Sequence, residues 1–544
     1  MTTLFNLKAM KILIFLSLFF TASTVFSQDF SILTQKSIGG TGDDSGRLLP
    51  DPQNNGEYFL ISSSKSGISG DKTEPSNGGV DVWIVKLDNN FNVLWDKSYG
   101  GSGDDVFWSA FINNGFIYIA TQTSSNQSGD KTMDLFSTEP YPSNIWILCL
   151  DLSGNLIWQQ QFGGTNVETR PYLIPYTQTT FLMSCSSRSP VSGNKTTALK
   201  GLDDTWLVEV NYSDGSIAQQ KSVGTDANDN VKSIKRVSNG NILLSITTGG
   251  DINGDKTVSS FGLDDIWLIE MDNSLNIVKQ SGFGGNSVED RGYIAEIEDA
   301  YYLTISTYSD ASGNKSENSF GDTDVWLVKM DKDFTIIWDK TIGGNYTEYG
   351  GTVFKNANGK LVLFATSQSI PSGNKTSPRY GSSYDSWIVL LNEDGDLLEQ
   401  YTLGGNGSDG CEIIEYPNDP TKLLFYGASD SPMGSGVKTS PVIGGSDIWL
   451  GVIDASNVLT TSNLTVGEFS VYPNPTKNSL FINSSSEVEY QAWISDLNGK
   501  QVSSIKKNTF IGEAVLDVKS INSGVYFLNI STKFGNQIKK IIIE

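Results

Sequence analysis

Ser69-Gly70-Asp71-Lys72-Thr73, followed by Asp81-Val82-Trp83-Ile84-Val85-Lys86-Leu87, decides the fold, because both segments return six more times in the same order. The tryptophan recurs as Trp146, Trp206, Trp267, Trp326, Trp387 and Trp449, at spacings of 63, 60, 61, 59, 61 and 62 residues. Ahead of each stands a lysine: Lys131, Lys195, Lys256, Lys315, Lys375 and Lys438. A glycine pair or its remnant opens every unit, at Gly39, Gly100, Gly163, Gly224, Gly284, Gly343 and Gly404. Three ordered markers at one period are the signature of a repeat architecture.

Within one unit the pattern reads as four strands separated by turn residues. In the first unit strand A lies near Gly46 to Pro50, B is Glu57 to Ser63, C is Val80 to Leu87 and D is Asn92 to Ser98. Strand C is apolar on both faces, as a sheet covered by a neighbour on each side requires. Four-stranded units of this length, repeated seven times, predict an all-β seven-bladed β-propeller. A ring must join its last blade to its first. Phe30 to Ser37, before Ile38-Gly39-Gly40, copies Phe91 to Ser98 before Tyr99-Gly100-Gly101, so an orphan strand D at the front can complete the seventh blade. Asn457 to Thr461 is the alternative strand for that place. Residues 30 to about 460 resemble the roughly sixty-residue propeller repeats of exported bacterial proteins, including those of Bacteroidetes. That resemblance speaks to architecture, since propellers host unrelated activities.

Residues 1–27 carry Lys8 and Lys11, an apolar run from Ile12 to Phe20 and a polar end, the pattern of a secretory signal peptide cleaved between Ser27 and Gln28. No later segment is apolar enough to predict a membrane helix, so a soluble mature chain is expected. Cys149, Cys185 and Cys411 are far apart in sequence, odd in number and set among apolar neighbours, which predicts buried thiols rather than a disulfide framework.

From Gly467 the repeat stops. The remaining segment, 467–544, holds 8 basic and 7 acidic residues, whereas 28–466 holds 28 and 54, a net charge of about −26. The tail reads Val471-Tyr472-Pro473-Asn474-Pro475, then Leu480-Phe481-Ile482, Ile494 to Lys500 with Gly499, Ser523-Gly524-Val525-Tyr526-Phe527 and Lys539 to Ile543. Alternating apolar residues between Gly and Asn turns predict a small β-sandwich. At these motifs the tail resembles the type A C-terminal sorting domain of the type IX secretion system of Bacteroidetes. The resemblance implies passage through the periplasm, recognition by the type IX machinery at the outer membrane and removal of the tail, with release or surface attachment to follow. The expected organisation is a signal peptide at 1–27, a propeller at 28–455, a linker at 456–466 and the sorting domain at 467–544.

The 544 residues include no histidine, which excludes any triad or metal site built on imidazole. A net charge of −23 argues against nucleic acid and for divalent cations or neutral polymers as partners. Strand direction brings the D-to-A and B-to-C loops to one face. An acid follows the opening glycine by five residues in six units, at Asp44, Asp105, Glu168, Glu289, Glu348 and Asp409, and a ring of carboxylates on that face is expected. Calcium, a hard ion that takes oxygen ligands, is the cofactor such acids would hold. The competing reading is structural: each blade uses its Lys and the Asp two residues before its Trp to tie down a loop. Ser-Gly-Asp-Lys-Thr is not a phosphate loop, because no glycine precedes the lysine and no helix follows. Trp95, Trp158 and Trp338 occur in strand D of only three blades and are candidates for stacking on sugar, or for packing between blades; Trp108 lies in one strand A. The function these features support is a secreted or surface-displayed binding module for a glycan or surface protein. The alternatives are an enzyme acting on extracellular polysaccharide and a rigid surface spacer.

Overall fold

The computed structural model describes residues 30–54, 56–417, 419–456, 469–484, 490–496, 500–503, 513–532 and 535–544. Seven antiparallel four-stranded sheets are followed by a three-stranded and a four-stranded sheet. In the first unit strand A is Asp44–Pro50, B is Tyr58–Ser64, C is Asp81–Leu87 and D is Val93–Tyr99, hydrogen-bonded in that order. Strand A begins earlier than its apolar residues suggest because Asp44 already pairs with Ser64. Strand C is buried at every position. Strands A of all seven sheets line one central cavity, and strand A of the first sheet packs on strands B and C of the seventh. The ring is closed, and the chain is a seven-bladed β-propeller with strand A innermost.

The N-terminal strand Ser31–Ile38 is the outer strand of the seventh blade, antiparallel to Asp447–Asp454 with Ser37 opposite Trp449. Asn457 to Thr461 lies outside the described residues, as do the signal segment and the Ser27–Gln28 junction.

The seven recurring tryptophans are fully buried. At about 25 cal/mol per Å² over some 200 Å², each contributes roughly 5 kcal/mol of apolar burial. Six of their indole N–H groups also find an oxygen on strand D: Trp83 donates to Asp96 (2.9 Å), Trp146 to Gln159 (3.0 Å), Trp206 to Gln220 (3.1 Å), Trp267 to Gln280 (3.0 Å), Trp326 to Asp339 (2.9 Å) and Trp449 to Gln35 (3.0 Å). Gln35 belongs to the N-terminal strand, so that strand supplies the same contact that strand D supplies elsewhere. Cys149, Cys185 and Cys411 are buried free thiols.

Near the C-terminus, Phe469–Tyr472, Ser479–Ser484 and Glu513–Asp517 form one sheet. Gln501–Ser503, Tyr490–Ser495, Gly524–Thr532 and Gly535–Ile543 form the other. Phe469, Leu480 and Ile482 of the first meet Tyr490, Leu528 and Ile541 of the second in one core, which makes a small β-sandwich. No helix among the described residues is long and apolar enough to cross a membrane.

Candidate functional site

The recurring Ser-Gly-Asp-Lys segment is a tight turn. Ser69 and Lys72 exchange both backbone hydrogen bonds (3.1 and 3.0 Å), and Gly70 takes φ 57°. Equivalent glycines at 129, 193, 254, 313, 373 and 436 share this left-handed backbone, which a Cβ disfavours. A Cβ on any of them would also strike the carbonyl of the glycine that opens its unit. The lysines are buried and donate to loop carbonyls or neighbouring side chains: Lys72 to Glu74 O (2.8 Å), Lys195 to Ser189 O (2.8 Å), Lys315 to Thr341 Oγ1 (2.8 Å). Burial pushes Lys131 and Lys375 down to about 8.

The predicted acids Asp44, Asp105, Glu168, Glu289, Glu348 and Asp409 all have zero exposure, so they form no displayed ring. Asp44 accepts from the Gly40 N–H (2.8 Å) and the Ser66 hydroxyl (2.9 Å), and Asp409 from Gly405 (2.7 Å) and Ser431 (2.6 Å). Asp229, which follows Gly224 by the same five residues and was not among the predicted acids, makes the same contact with the Thr225 N–H (2.6 Å). Donors converge where a cation would have to sit, which does not suit calcium. Among the described residues no three acidic or thiol side chains converge in metal-binding geometry.

A second buried carboxyl meets each of these acids from the preceding blade. The exception is the second blade, where Asn144 holds this place against Glu168 of the third. Its carbonyl accepts from Phe136 N–H (2.8 Å), and its amide donates to Glu168 Oε2 (2.8 Å) and Gly164 O (3.2 Å). Aspartate occupies the place elsewhere. One oxygen accepts the same loop N–H, as from Asn77 to Asp81 (2.6 Å), Phe320 to Asp324 (2.7 Å) and Tyr380 to Asp385 (2.8 Å). The Oδ1 of Asp81, Asp265, Asp324, Asp385 and Asp447 is buried without a partner, in the position of the Asn144 amide. A protonated carboxyl is the form that matches Asn144 as a donor. Burial, joined by Glu348, pushes Asp324 up to about 6; burial, joined by Asp409, pushes Asp385 up to about 7. This ring is a set of structural clasps.

Trp95, Trp158 and Trp338 are half-buried, and each lies on a glycine of the following blade: a Cβ on Gly154, Gly215 or Gly395 would come within 2.9, 2.7 or 3.0 Å of the ring. Trp158 and Trp338 further donate to the carbonyls of Tyr212 (3.0 Å) and Glu393 (3.1 Å). Of the three, Trp158 also lines a cleft of about 550 Å³, with Phe116, Tyr118 and Tyr212.

The seven-fold pattern breaks on strand A. Every blade contributes its strand A to an axial channel of about 840 Å³, a volume typical of small-ligand sites. The ladder between A and B slips at Phe107/Ser109, Thr169/Tyr172, Val231/Ser233, Asp290/Tyr293 and Gly350/Val353, while blades one and seven run in register. Bulges extrude side chains from a ladder and are frequent beside binding sites. The extruded residues include Trp108, Arg170, Lys232 and Arg291, from four consecutive blades. Arg170 and Arg291 hold φ 57° and 75°, backbone that a long side chain occupies at a cost of about 1–3 kcal/mol.

These groups lie close together. Lys232 bonds Asp290 at 2.6 Å; burial lowers its pKa, Asp290 opposes that, and Arg170 and Arg291 push it lower. The Arg291 guanidinium sits 4.2 Å over the Tyr349 ring, which stacks 5.7 Å from Tyr384. Trp108 meets Tyr172 edge to face at 6.5 Å. Burial and neighbouring Tyr293 push Tyr172 up to about 12. Across the channel Arg47 stands beside Tyr426 and Glu412; burial opposes its charge, yet these two neighbours hold its pKa above the ordinary value. The cations on the channel wall are Arg47 and Lys232, each beside an acid. Beyond the buried acids that begin these strands, Trp108 alone stood out on them in the sequence. A usable signal was present: Arg47, Arg170 and Arg291 are three of just six arginines in the chain, each two or three residues after the conserved acid.

In the tail, Tyr472 stacks on Phe481 (5.6 Å), and Asn474 joins the last strand through Lys540 O (3.0 Å) and the Ile542 N–H (2.8 Å). Pro473 and Pro475 flank Asn474. Gly524 starts a strand, and the Tyr526 hydroxyl donates to Asn522 O (2.9 Å). Gly499 lies outside the described residues.

Residues 470–544 match the family model of the secretion system C-terminal sorting domain, so the chain carries a type IX sorting tail, which implies export to the cell surface or secretion. No curated protein matches the chain. Among solved structures it is similar to an ulvan lyase of family PL25 (10% identity, 77% of this chain and 96% of that one, TM-score 0.43). It is also similar to the GH93 α-L-arabinofuranosidase of Fusarium graminearum (10%, 79% and 100%, 0.39) and to BamB from Moraxella catarrhalis (8%, 78% and 99%, 0.36).

Proposed function

We propose that this chain is an exported binding module whose propeller presents the axial channel to a glycan or a surface protein. The mature protein starts at Gln28. The propeller spans 28–455, a linker spans 456–466, and the tail from 467 hands the chain through the periplasm to the type IX machinery for secretion or display on the outer membrane. One observation carries the reading: scaffold residues repeat in every blade, whereas the extruded residues of strand A differ from blade to blade. A ligand needs a unique surface, and scaffolding does not.

Degradation of extracellular polysaccharide is the second reading. It is favoured by Lys232, a base with lowered pKa on the same channel as Tyr172 and Tyr293. The test mixes the full mature chain, and its Trp108→Ala variant, with a panel of insoluble polysaccharides and follows protein loss and new reducing ends. Protein loss that Trp108→Ala abolishes, without new ends, supports the binding module. Loss that the variant leaves unchanged overturns the channel as the site, and new ends favour the enzyme.

A further inference from the structure

We infer that a second site, apart from the axial channel, binds a neutral saccharide in the cleft between the second and third blades. Its construction follows from a ladder position that three blades share. In the first blade Phe59, Lys86 and Trp95 stand side by side on strands B, C and D, and in the fifth Tyr302, Lys329 and Trp338 do so. In the second the trio is Tyr118, Cys149 and Trp158. Lys86 Nζ lies 3.9 Å from the centre of the Phe59 ring, and Lys329 Nζ lies 5.7 and 6.0 Å from those of Tyr302 and Trp338. A long cationic side chain thus lies against the rings in both blades. Cys149 is shorter and uncharged, and it lines a cleft of about 550 Å³ with Tyr118 and Trp158, a size within the range of small-ligand sites.

The walls define the ligand. Trp158, Phe116 and Tyr212 give the cleft half-buried aromatic surface. The Trp158 ring is already fixed, since its indole N–H donates to the Tyr212 carbonyl (3.0 Å), so stacking on it costs little further ordering. Asn114 and Gln178, in the A-to-B turns of the two blades, are exposed and line the same cleft. A primary amide offers both a donor and an acceptor, which neighbouring sugar hydroxyls complement while the C–H face of the sugar lies on aromatic surface. Among the described residues that line the cleft none is charged, and the propeller around it is strongly acidic. An acidic sugar would be desolvated and repelled there without gaining a counter-ion.

Broken symmetry separates this role from a structural one. Packing of a tryptophan on a glycine of the next blade is common to Trp95, Trp158 and Trp338. The exchange of lysine for Cys149 is not, and of the three tryptophans Trp158 is the one that borders this cleft.

The experiment titrates the full mature chain, by calorimetry, with neutral hexasaccharides of glucan, xylan and mannan type, an oligouronate of equal length, and an N-acetylated tryptophan amide that mimics a protein side chain. The expected result is that at least one neutral sugar binds at least about tenfold tighter than the oligouronate and the amide. Trp158→Ala and Cys149→Lys, which installs the residue of the first and fifth blades, each lower that affinity by about tenfold. Gln178→Ala, an exposed change that should leave the melting temperature unaltered, lowers it about threefold, and Trp108→Ala, in the axial channel, leaves it unchanged. Sugar binding lost in Trp108→Ala but kept in Trp158→Ala and Gln178→Ala moves the ligand to the channel and overturns this inference while sparing the channel reading. Oligouronate bound as tightly as the neutral sugars overturns the neutral ligand. The amide bound more tightly than any sugar overturns the saccharide, and failure of every neutral sugar to bind overturns the site.

Discussion

Replacing Asp385 by asparagine should stabilise the protein at neutral and alkaline pH. Asp385 is buried; one oxygen accepts from the Tyr380 N–H (2.8 Å) and the other has no partner. The charged groups facing it are Asp409, Lys375 and Arg379, and burial raises it from 3.8 to about 7. The folded state therefore keeps a proton that the unfolded chain releases near pH 4. Stability from this group is full below that pH and drains away as pH rises toward 7, by about 1.4 kcal/mol per unit, or about 4 kcal/mol in all. Asparagine cannot ionise, and Asn144 already fills the same place in the second blade by donating to Glu168 (2.8 Å) of the third. The advantage of Asp385→Asn should be near zero at pH 4 and reach about 4 kcal/mol at pH 8. At roughly 2.1 cal/mol/K per residue over some 400 residues, that is about 4–5 °C in Tm. Chemical denaturation and thermal scans of both proteins from pH 4 to 8 measure it. A difference that does not change with pH, or a variant less stable at pH 8, would refute the shared-proton clasp.

Trp83→Phe and Trp387→Phe remove similar buried volume, but Trp83 donates to Asp96 whereas the Trp387 indole nitrogen has no partner. Denaturant titration should find Trp83→Phe the costlier by about 1 kcal/mol. If the N-terminal strand closes the ring, Ile38→Ala, at 0% exposure, should cost about 3 kcal/mol, and Leu33→Ala, at 52%, no more than about 0.5; equal effects would argue against that strand's register. Burial raises Cys185 well above the ordinary thiol value and Cys149 up to about 11. A thiol reagent at pH 8 should label none of the three cysteines in the native protein and all three once it is denatured; native labelling would contradict the packing of strands A, B and C that bury Cys411, Cys185 and Cys149.

Spacing alone determined the architecture, because a repeat advertises itself: the same turn, lysine and tryptophan must recur wherever the same blade is built. The copy of a strand D at residues 30–37 even announced how the ring closes, and the alternation and turns of the tail announced a sandwich. Residues that repeat could also be assigned to the scaffold, and in most loops the Lys and Asp are indeed tied to backbone, as Lys72 is to Glu74 O and Asp81 to the Asn77 N–H. Their accessibility was another matter. Asp44 and its counterparts look solvent-facing in a polar loop, yet Asp44 is covered by the nearby Gly40 N–H and by the Ser66 hydroxyl, the latter from a segment 22 residues away. Trp95, Trp158 and Trp338 stood out by their rarity, but only the packed neighbour, a glycine on the next blade, shows what their rings cover. The channel was the least legible feature. Arg170, Lys232 and Arg291 are some sixty residues apart and sit in a chain of net negative charge, so no local window holds two of them. The strands that carry them converge on one axis, where bulges turn side chains out of the ladder. Both are properties of the closed ring, which pairwise spacing along the chain does not encode.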